Sequence, residues 1–201
     1  MIRRATAEDI PSIVRVHQSA FPQFFLSDLG PRFLSRFYAA FVSDARGVLL
    51  VAVDHAASVV GLLAGTSMPA TFFPAMRRGR GVSFVSAALP YLLRHPLRAS
   101  ERMIAALRYR GDRPPTVPAD YWLLSSLAVA AASTRRGIGG ALVARFCDDA
   151  RDEGAQGVYL LTDQDDNDAV QCFYKKQRFT MRDVQCRRDG RRMTVLARRL
   201  T

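Results

Sequence analysis

Residues 127–146 read LAVAAASTRRGIGGALVARF, and no other stretch restricts the architecture of this chain so tightly. A short apolar run, Trp122 to Val129, leads into a loop of small residues. Arg135-Arg136-Gly137-Ile138-Gly139-Gly140 follows, and an apolar-periodic helix pattern begins at once. A helix start leaves four backbone N–H groups unpaired and carries partial positive charge, so it attracts anions. Glycine lets backbone approach a phosphate closely, and the two arginines add charge. The strand-loop-helix order therefore predicts a site for a phosphate-bearing ligand. The plain alternative is a glycine turn that only joins a strand to a helix.

Two familiar phosphate sites are excluded. No Lys-Ser or Lys-Thr follows the glycines, so the segment is not a P-loop. A dinucleotide fingerprint needs glycine at position 142, where Leu142 stands, and no acidic residue occupies the right strand context for a ribose.

The remaining pattern resembles the acyl-CoA pyrophosphate loop of the GNAT N-acyltransferases. In that family a Gln or Arg, two variable residues, Gly, one variable residue and Gly or Ala follow the strand. Gly137 and Gly139 match the glycine positions. Thr134 stands at the Gln/Arg position, and Ala131-Ala132 stand where a Pro-Glu pair is common. A second segment is similar too. Residues 158–163 (VYLLTD) read as a buried strand. Asn167 to Tyr174 then starts a helix with an acidic, amide-rich cap region, and Phe179 opens the next strand. Asn167 and Tyr174 fall on the family's asparagine and tyrosine positions, while Arg178 takes the place of a glycine. Ile2 to Thr6 with Asp9 resembles the family's first strand and its turn into a helix. The resemblance covers most of the chain outside residues 70–118.

The resemblance implies an α/β (α+β) fold: a central mixed, mostly antiparallel twisted sheet flanked by helices, in one domain over 1–201. It implies acetyl-CoA as co-substrate, without a metal. It assigns cofactor binding to Leu127, Ala128, Val129, Arg135, Arg136, Gly137, Ile138, Gly139, Gly140 and Asn167. The fourth strand is expected to bulge near Leu127–Val129, to offer N–H donors to the thioester carbonyl, and to pair with the pantetheine arm as if with an added strand. Tyr174 is placed to protonate the leaving thiolate. Its other reading is a core tyrosine, and Asn167 has another as a helix N-cap. No base is assigned. Ser125 stands where glutamate is common; a water held by Ser125 or Ser126, Asp120 and His17 stay open. Cys172 and Cys147 read as packing residues.

With 201 residues, the chain fits one domain with a full core. Three cysteines without metal-type spacing point to a reducing, cytoplasmic setting. The N-terminus lacks the apolar region of a signal peptide. Val82 to Leu93, the longest apolar candidate, is too short to span a membrane. The formal charge of +11 suits an anionic cofactor as well as solvated arginine-rich faces. No nucleic-acid motif accompanies it.

Helices are expected over 7–20 and from Gly30 to Val42, with the aromatic loop Phe21 to Ser27 between them. Val48 to Val53 and Ser58 to Thr66 read as a hairpin, and Phe179 to Leu200 as two strands turning at Asp189-Gly190. Residues 70–118 are too long for a bare loop and read as a helical insertion between the third and fourth strands. Two amphipathic helices, one through Leu93 and one from Ala99 to Tyr109, would pack by the acceptor cleft; a homodimer or membrane-surface contact is the alternative. The function expected is acetyl transfer to an amine of a small molecule, an aminosugar by analogy, or of a peptide. A non-catalytic acyl-CoA-binding module and a basic nucleic-acid binder are the competing readings.

Overall fold

The computed structural model describes residues 1–22, 24–94, 113–187 and 190–200. Its first elements are β1 (Ile2–Arg4), α1 (Ile10–Ala20), α2 (Phe25–Asp28), α3 (Pro31–Ser43), β2 (Gly47–Val53), β3 (Val59–Thr66) and α4 (Pro69–Arg94). Then come β4 (Tyr121–Val129), α5 (Ile138–Asp152), β5 (Gly157–Asp163), α6 (Asp168–Lys176), β6 (Thr180–Cys186) and β7 (Arg192–Arg199). The strands form one seven-stranded sheet in the order β1-β2-β3-β4-β5-β7-β6. Every neighbouring pair is antiparallel except β4 and β5. The expected mixed, mostly antiparallel sheet with flanking helices is the observed one.

The inner strands are near-continuous apolar runs because both faces of the sheet are covered. On one face, α1, α3 and the start of α4 bring Ile13, Leu34, Phe41 and Phe72 onto Leu62, Ala64 and Leu123. On the other, α5 brings Leu142, Val143 and Phe146 onto Leu50, Leu63, Trp122 and Leu124. Each such side chain, fully buried, contributes about 1.5–3 kcal/mol.

Two glycines of β3 seat α5. Gly61 and Gly65 share a face with the buried Leu63, and a Cβ at Gly61 would lie 3.1 Å from Ile138 Cγ2 and 3.2 Å from Leu142 Cδ1. At Gly65 it would lie 2.4 Å from Phe146 Cζ. Ile138, Leu142 and Phe146 are spaced as one helical ridge, so the missing side chains of β3 make the groove that receives it.

The insertion between the third and fourth strands begins with α4, which lies along α3. Phe41 and Phe72 stack with ring centroids 4.7 Å apart, and Phe33 and Phe84 at 5.1 Å. Arg36 donates to the Ser83 carbonyl and the Ser86 hydroxyl, and Arg80 donates to Ser43 Oγ at 2.7 Å. Pro74 and Pro90 sit inside this helix, where each removes one backbone donor. The expected helix over Ala99 to Tyr109, and Asp189 of the expected final turn, lie outside the described residues; Gly190 of that turn is left-handed, with φ +81°. The aromatic loop contains one helical turn, α2, whose Phe25 contacts Tyr91 of α4.

Candidate active site

The sheet opens at its centre. The β4–β5 ladder pairs Tyr121, Trp122 and Leu123 with Gly157, Val158 and Tyr159 and goes no further. Beyond it β5 stays with β7 as far as Asp163 and Met193, while β4 stays with β3 as far as Val129 and Gly61. The register of β3 on β4 jumps from Ala64↔Ser126 to Gly65↔Leu124, which leaves Ser125 as the extra residue of a bulge. The fourth strand bulges, as the resemblance implies, with its extra residue at Ser125, two residues before the Leu127–Val129 stretch it is expected near. A bulge bends its strand and increases the local twist, and here it starts where β4 leaves β5.

The glycine-arginine turn closes the end of this opening. Arg135 and Gly137 are both left-handed, with φ of +61° and +76°, and Arg136 between them is not. Such alternation turns successive N–H groups to one side. Gly137 is the N-cap of α5, and no side chain caps that helix end. The first-turn N–H groups, the helix dipole and the exposed Arg135 and Arg136 thus combine at one point. A Cβ at Gly139 would lie 3.4 Å from Phe173 Cζ and 3.8 Å from Val129 Cγ2, so the turn, the end of β4 and α6 meet there. Ile138 and Leu127 are half-buried against the α5-side core, and Ala128 is buried against the other. Gly140 lies beside Gln177.

Asn167 is the N-cap of α6, yet its side chain makes no cap hydrogen bond. Its amide nitrogen instead donates to Thr162 Oγ1 at 2.7 Å and to the Asp163 carbonyl at 2.8 Å, fastening α6 to the end of β5. Tyr174 is buried among Phe173, Phe179 and the α5-side core, with ring centroids 5.0 and 5.5 Å from the two phenylalanines. Burial pushes the pKa of its hydroxyl up, so it stays protonated at neutral pH. The site residues of α6 and the glycine turn are therefore neighbours, through Phe173.

Of the open base candidates, Asp120 immediately precedes β4, five residues from Ser125, or about 16 Å along an extended strand, and does not belong to the opening. It lines a separate cavity of about 380 Å³ with Gln156, Arg182 and Arg199. Ser125 is exposed and Ser126 half-buried, both on the opened part of β4. His17 does not reach a cleft: it is 2% exposed, and its Nδ1 lies 2.6 Å from Tyr38 Oη. Burial lowers its pKa to about 4. Ser126 of β4 lies beside the same Tyr38 side chain. Tyr38 was hidden in the sequence among the apolar residues of its helix, where its hydroxyl gives no periodic signal.

Among the described residues no group of three or more His, Cys, Asp or Glu side chains is placed to hold a metal ion, and no helix is long and apolar enough to cross a membrane.

Comparison with known proteins agrees with this geometry. Residues 11–179 match the family model described as acetyltransferase (GNAT) family. No curated protein matches the chain. Among solved structures, the ribosomal-protein-S18-alanine N-acetyltransferase from Escherichia coli superposes with a TM-score of 0.61 at 14% identity, over 100% of this chain and 94% of its own. An aminoglycoside 6'-N-acetyltransferase complexed with coenzyme A gives 0.62 at 13% identity, over 99% and 96%. The PaiA N-acetyltransferase from Thermoplasma acidophilum, also in complex with coenzyme A, gives 0.59 at 11% identity, over 100% and 98%. At such identities the likeness is one of fold; the matched stretch, which runs from α1 to the residue before β6 and takes in the split strands and the glycine turn, decides the rest. The chain belongs to the GNAT acetyltransferase family.

Proposed function

We propose that the protein transfers an acetyl group from acetyl-CoA directly to a primary amine of a small molecule or peptide. One observation carries this reading: the uncapped, glycine-lined N-terminus of α5, flanked by Arg135 and Arg136, stands at the mouth of the split between β4 and β5. The pyrophosphate of coenzyme A suits that helix end, held by the N–H groups of 137–140. The pantetheine arm carries amides that can pair with the free edge of Leu127–Val129. The thioester carbonyl then lies by the backbone donors of the bulged strand, which stabilise the oxyanion as the amine attacks. The C–N bond forms, the C–S bond breaks, the thiolate takes a proton, and the proton shed by the attacking nitrogen passes to water, from which the donor is restored. Tyr174, protonated at neutral pH, is the proposed donor, and Asn167 fastens the start of its helix to the end of β5.

Steady-state release of free thiol, followed with acetyl-CoA and a panel of amines, tests the reading. Amine-dependent release is expected. A general acid is worth roughly 100-fold or more, so Tyr174→Phe should lower turnover by that factor while leaving acetyl-CoA affinity within a few-fold. Unchanged turnover in Tyr174→Phe removes Tyr174 from the mechanism.

A second reading, a module that binds acyl-CoA without catalysis, draws on the depth of Tyr174, 6% exposed, and on serines at 125 and 126. Tight coenzyme A binding without thiol release for any amine would select it.

A further inference from the structure

The helix face of α1 and α3 that packs on the sheet is apolar, with one exception that runs straight through it. His17 on α1, Tyr38 on α3 and Ser126 on β4 form a row of polar residues: the imidazole Nδ1 lies 2.6 Å from the phenol oxygen, and Ser126 is the next polar side chain beside that phenol. Tyr38 is 0% exposed and His17 is 2% exposed. His17 Nε2 is buried without a hydrogen-bond partner. Phe or Leu at these two positions would fill the same core with no orphaned polar atom, so packing alone gives no reason for the pair. Only Ser126 reaches the surface, half-buried, beside the Ser125 bulge on the opened stretch of β4.

The placement of the row gives its direction. Gly139, the turn and Phe173 lie on the α5 side of the sheet, with Leu127. The His17–Tyr38–Ser126 row lies on the α1–α3 side. A thioester entering from the glycine turn leaves the opposite face of the split to the incoming nitrogen, and Ser126 is a polar side chain that β4 presents there.

Building on the acetyl-transfer reading above, we propose that the Ser126 hydroxyl is the hydrogen-bonding group that meets the acceptor nitrogen, and that Tyr38 and His17 are positioning residues that fix its orientation from the core. A hydroxyl has one proton and two lone pairs, so a rotor left free points in several directions. Tyr38 Oη is the polar group beside it in the core, placed to take one of these sites. His17 Nδ1 in turn fixes the Tyr38 hydroxyl, and the chain stays neutral because burial keeps the imidazole unprotonated at neutral pH. Either tautomer of His17 leaves the chain unbroken; it sets only which way the hydroxyls point.

The test is a double-mutant cycle on the full chain, with acetyl-CoA and an amine that the wild type acetylates. Ser126→Ala and Tyr38→Phe each lower kcat about 10- to 100-fold, with acetyl-CoA affinity within twofold of wild type. The double variant is no slower than the slower single variant, because both changes break one chain. Ser126→Thr, which keeps the hydroxyl, recovers most of the rate. Ser126 is half-exposed, so its variants read the proposal even if Tyr38→Phe fails to fold. A Ser126→Ala enzyme within threefold of wild-type kcat overturns the proposal. So does a double variant whose losses multiply, or a loss that tracks weakened acetyl-CoA binding. A wild type that releases no thiol with any amine overturns the acetyl-transfer reading, and this proposal with it; a failure confined to the variants leaves that reading standing.

Discussion

Arg178 holds the turn between α6 and β6 at φ +65°, a conformation that costs an L side chain about 1 kcal/mol or more. Its N–H donates to the Lys175 carbonyl and the Phe179 N–H to the Tyr174 carbonyl, so the helix end is properly closed despite the residue type. Arg178→Gly should therefore raise stability by up to about 1 kcal/mol, read as a higher Tm of the full chain. A lower Tm would mean that the arginine side chain contributes more than its backbone costs. The sequence showed an arginine where the resemblance expects glycine. It could not show whether the turn had changed, because φ is imposed by the hydrogen bonds on either side. Tyr38 and His17 were illegible for a related reason: each lies on an apolar helix stripe, and their meeting depends on how two helices cross.

At the scale of elements, α5 owes its position to what β3 lacks. Gly65→Ala should cost about 2–3 kcal/mol in urea unfolding, because the new Cβ would lie 2.4 Å from Phe146 Cζ and 2.6 Å from the Leu123 carbonyl oxygen. It should also weaken coenzyme A binding, since pushing Phe146 outward moves the helix whose N-terminus forms the turn. A variant as stable as the wild type would show that the ridge relaxes without moving. The hairpin of β2 and β3, the glycine turn, the helix that follows it and the insertion helix were all legible from composition and period. The position of the bulge was not. Leu-Leu-Ser-Ser-Leu carries no mark of which residue is extra; pairing with β3 decides it, and it falls at Ser125. Asn167 looked like a cap, and its actual bond to the Asp163 carbonyl depends on where β5 ends.

For the molecule as a whole, two buried titratable groups among the described residues contribute to the response to acid. His17 has a folded pKa near 4, below the unfolded value of about 6.5, so the unfolded chain takes up its proton first as pH falls. Stability contributed by the neutral imidazole is lost between about pH 6.5 and 4, on the order of 3 kcal/mol. Asp9 follows. The Arg3 guanidinium, donating to both its oxygens at 2.7 and 2.8 Å, and the Thr6 N–H hold its carboxyl at about 2. Its share, about 1–2 kcal/mol, is lost between about pH 4 and 2. Together these come to about 4–5 kcal/mol, near the lower end of an ordinary domain's stability, so urea midpoints should fall in two stages between pH 7 and 2.5. His17→Gln should flatten the first stage; a profile identical to wild type would refute the assignment. The split of the sheet has its own consequence at this scale. Where β4 parts from β5, a strand in the middle of the sheet has the hydrogen-bonding freedom of an edge strand. Amide hydrogens on that stretch should exchange faster than those of Tyr121–Leu123 in the same strand. A ligand bearing its own amides would slow that exchange by completing the ladder. The protein would then carry in its interior the kind of unpaired margin that other sheets keep at their borders, and the substrate would serve as the strand that closes it.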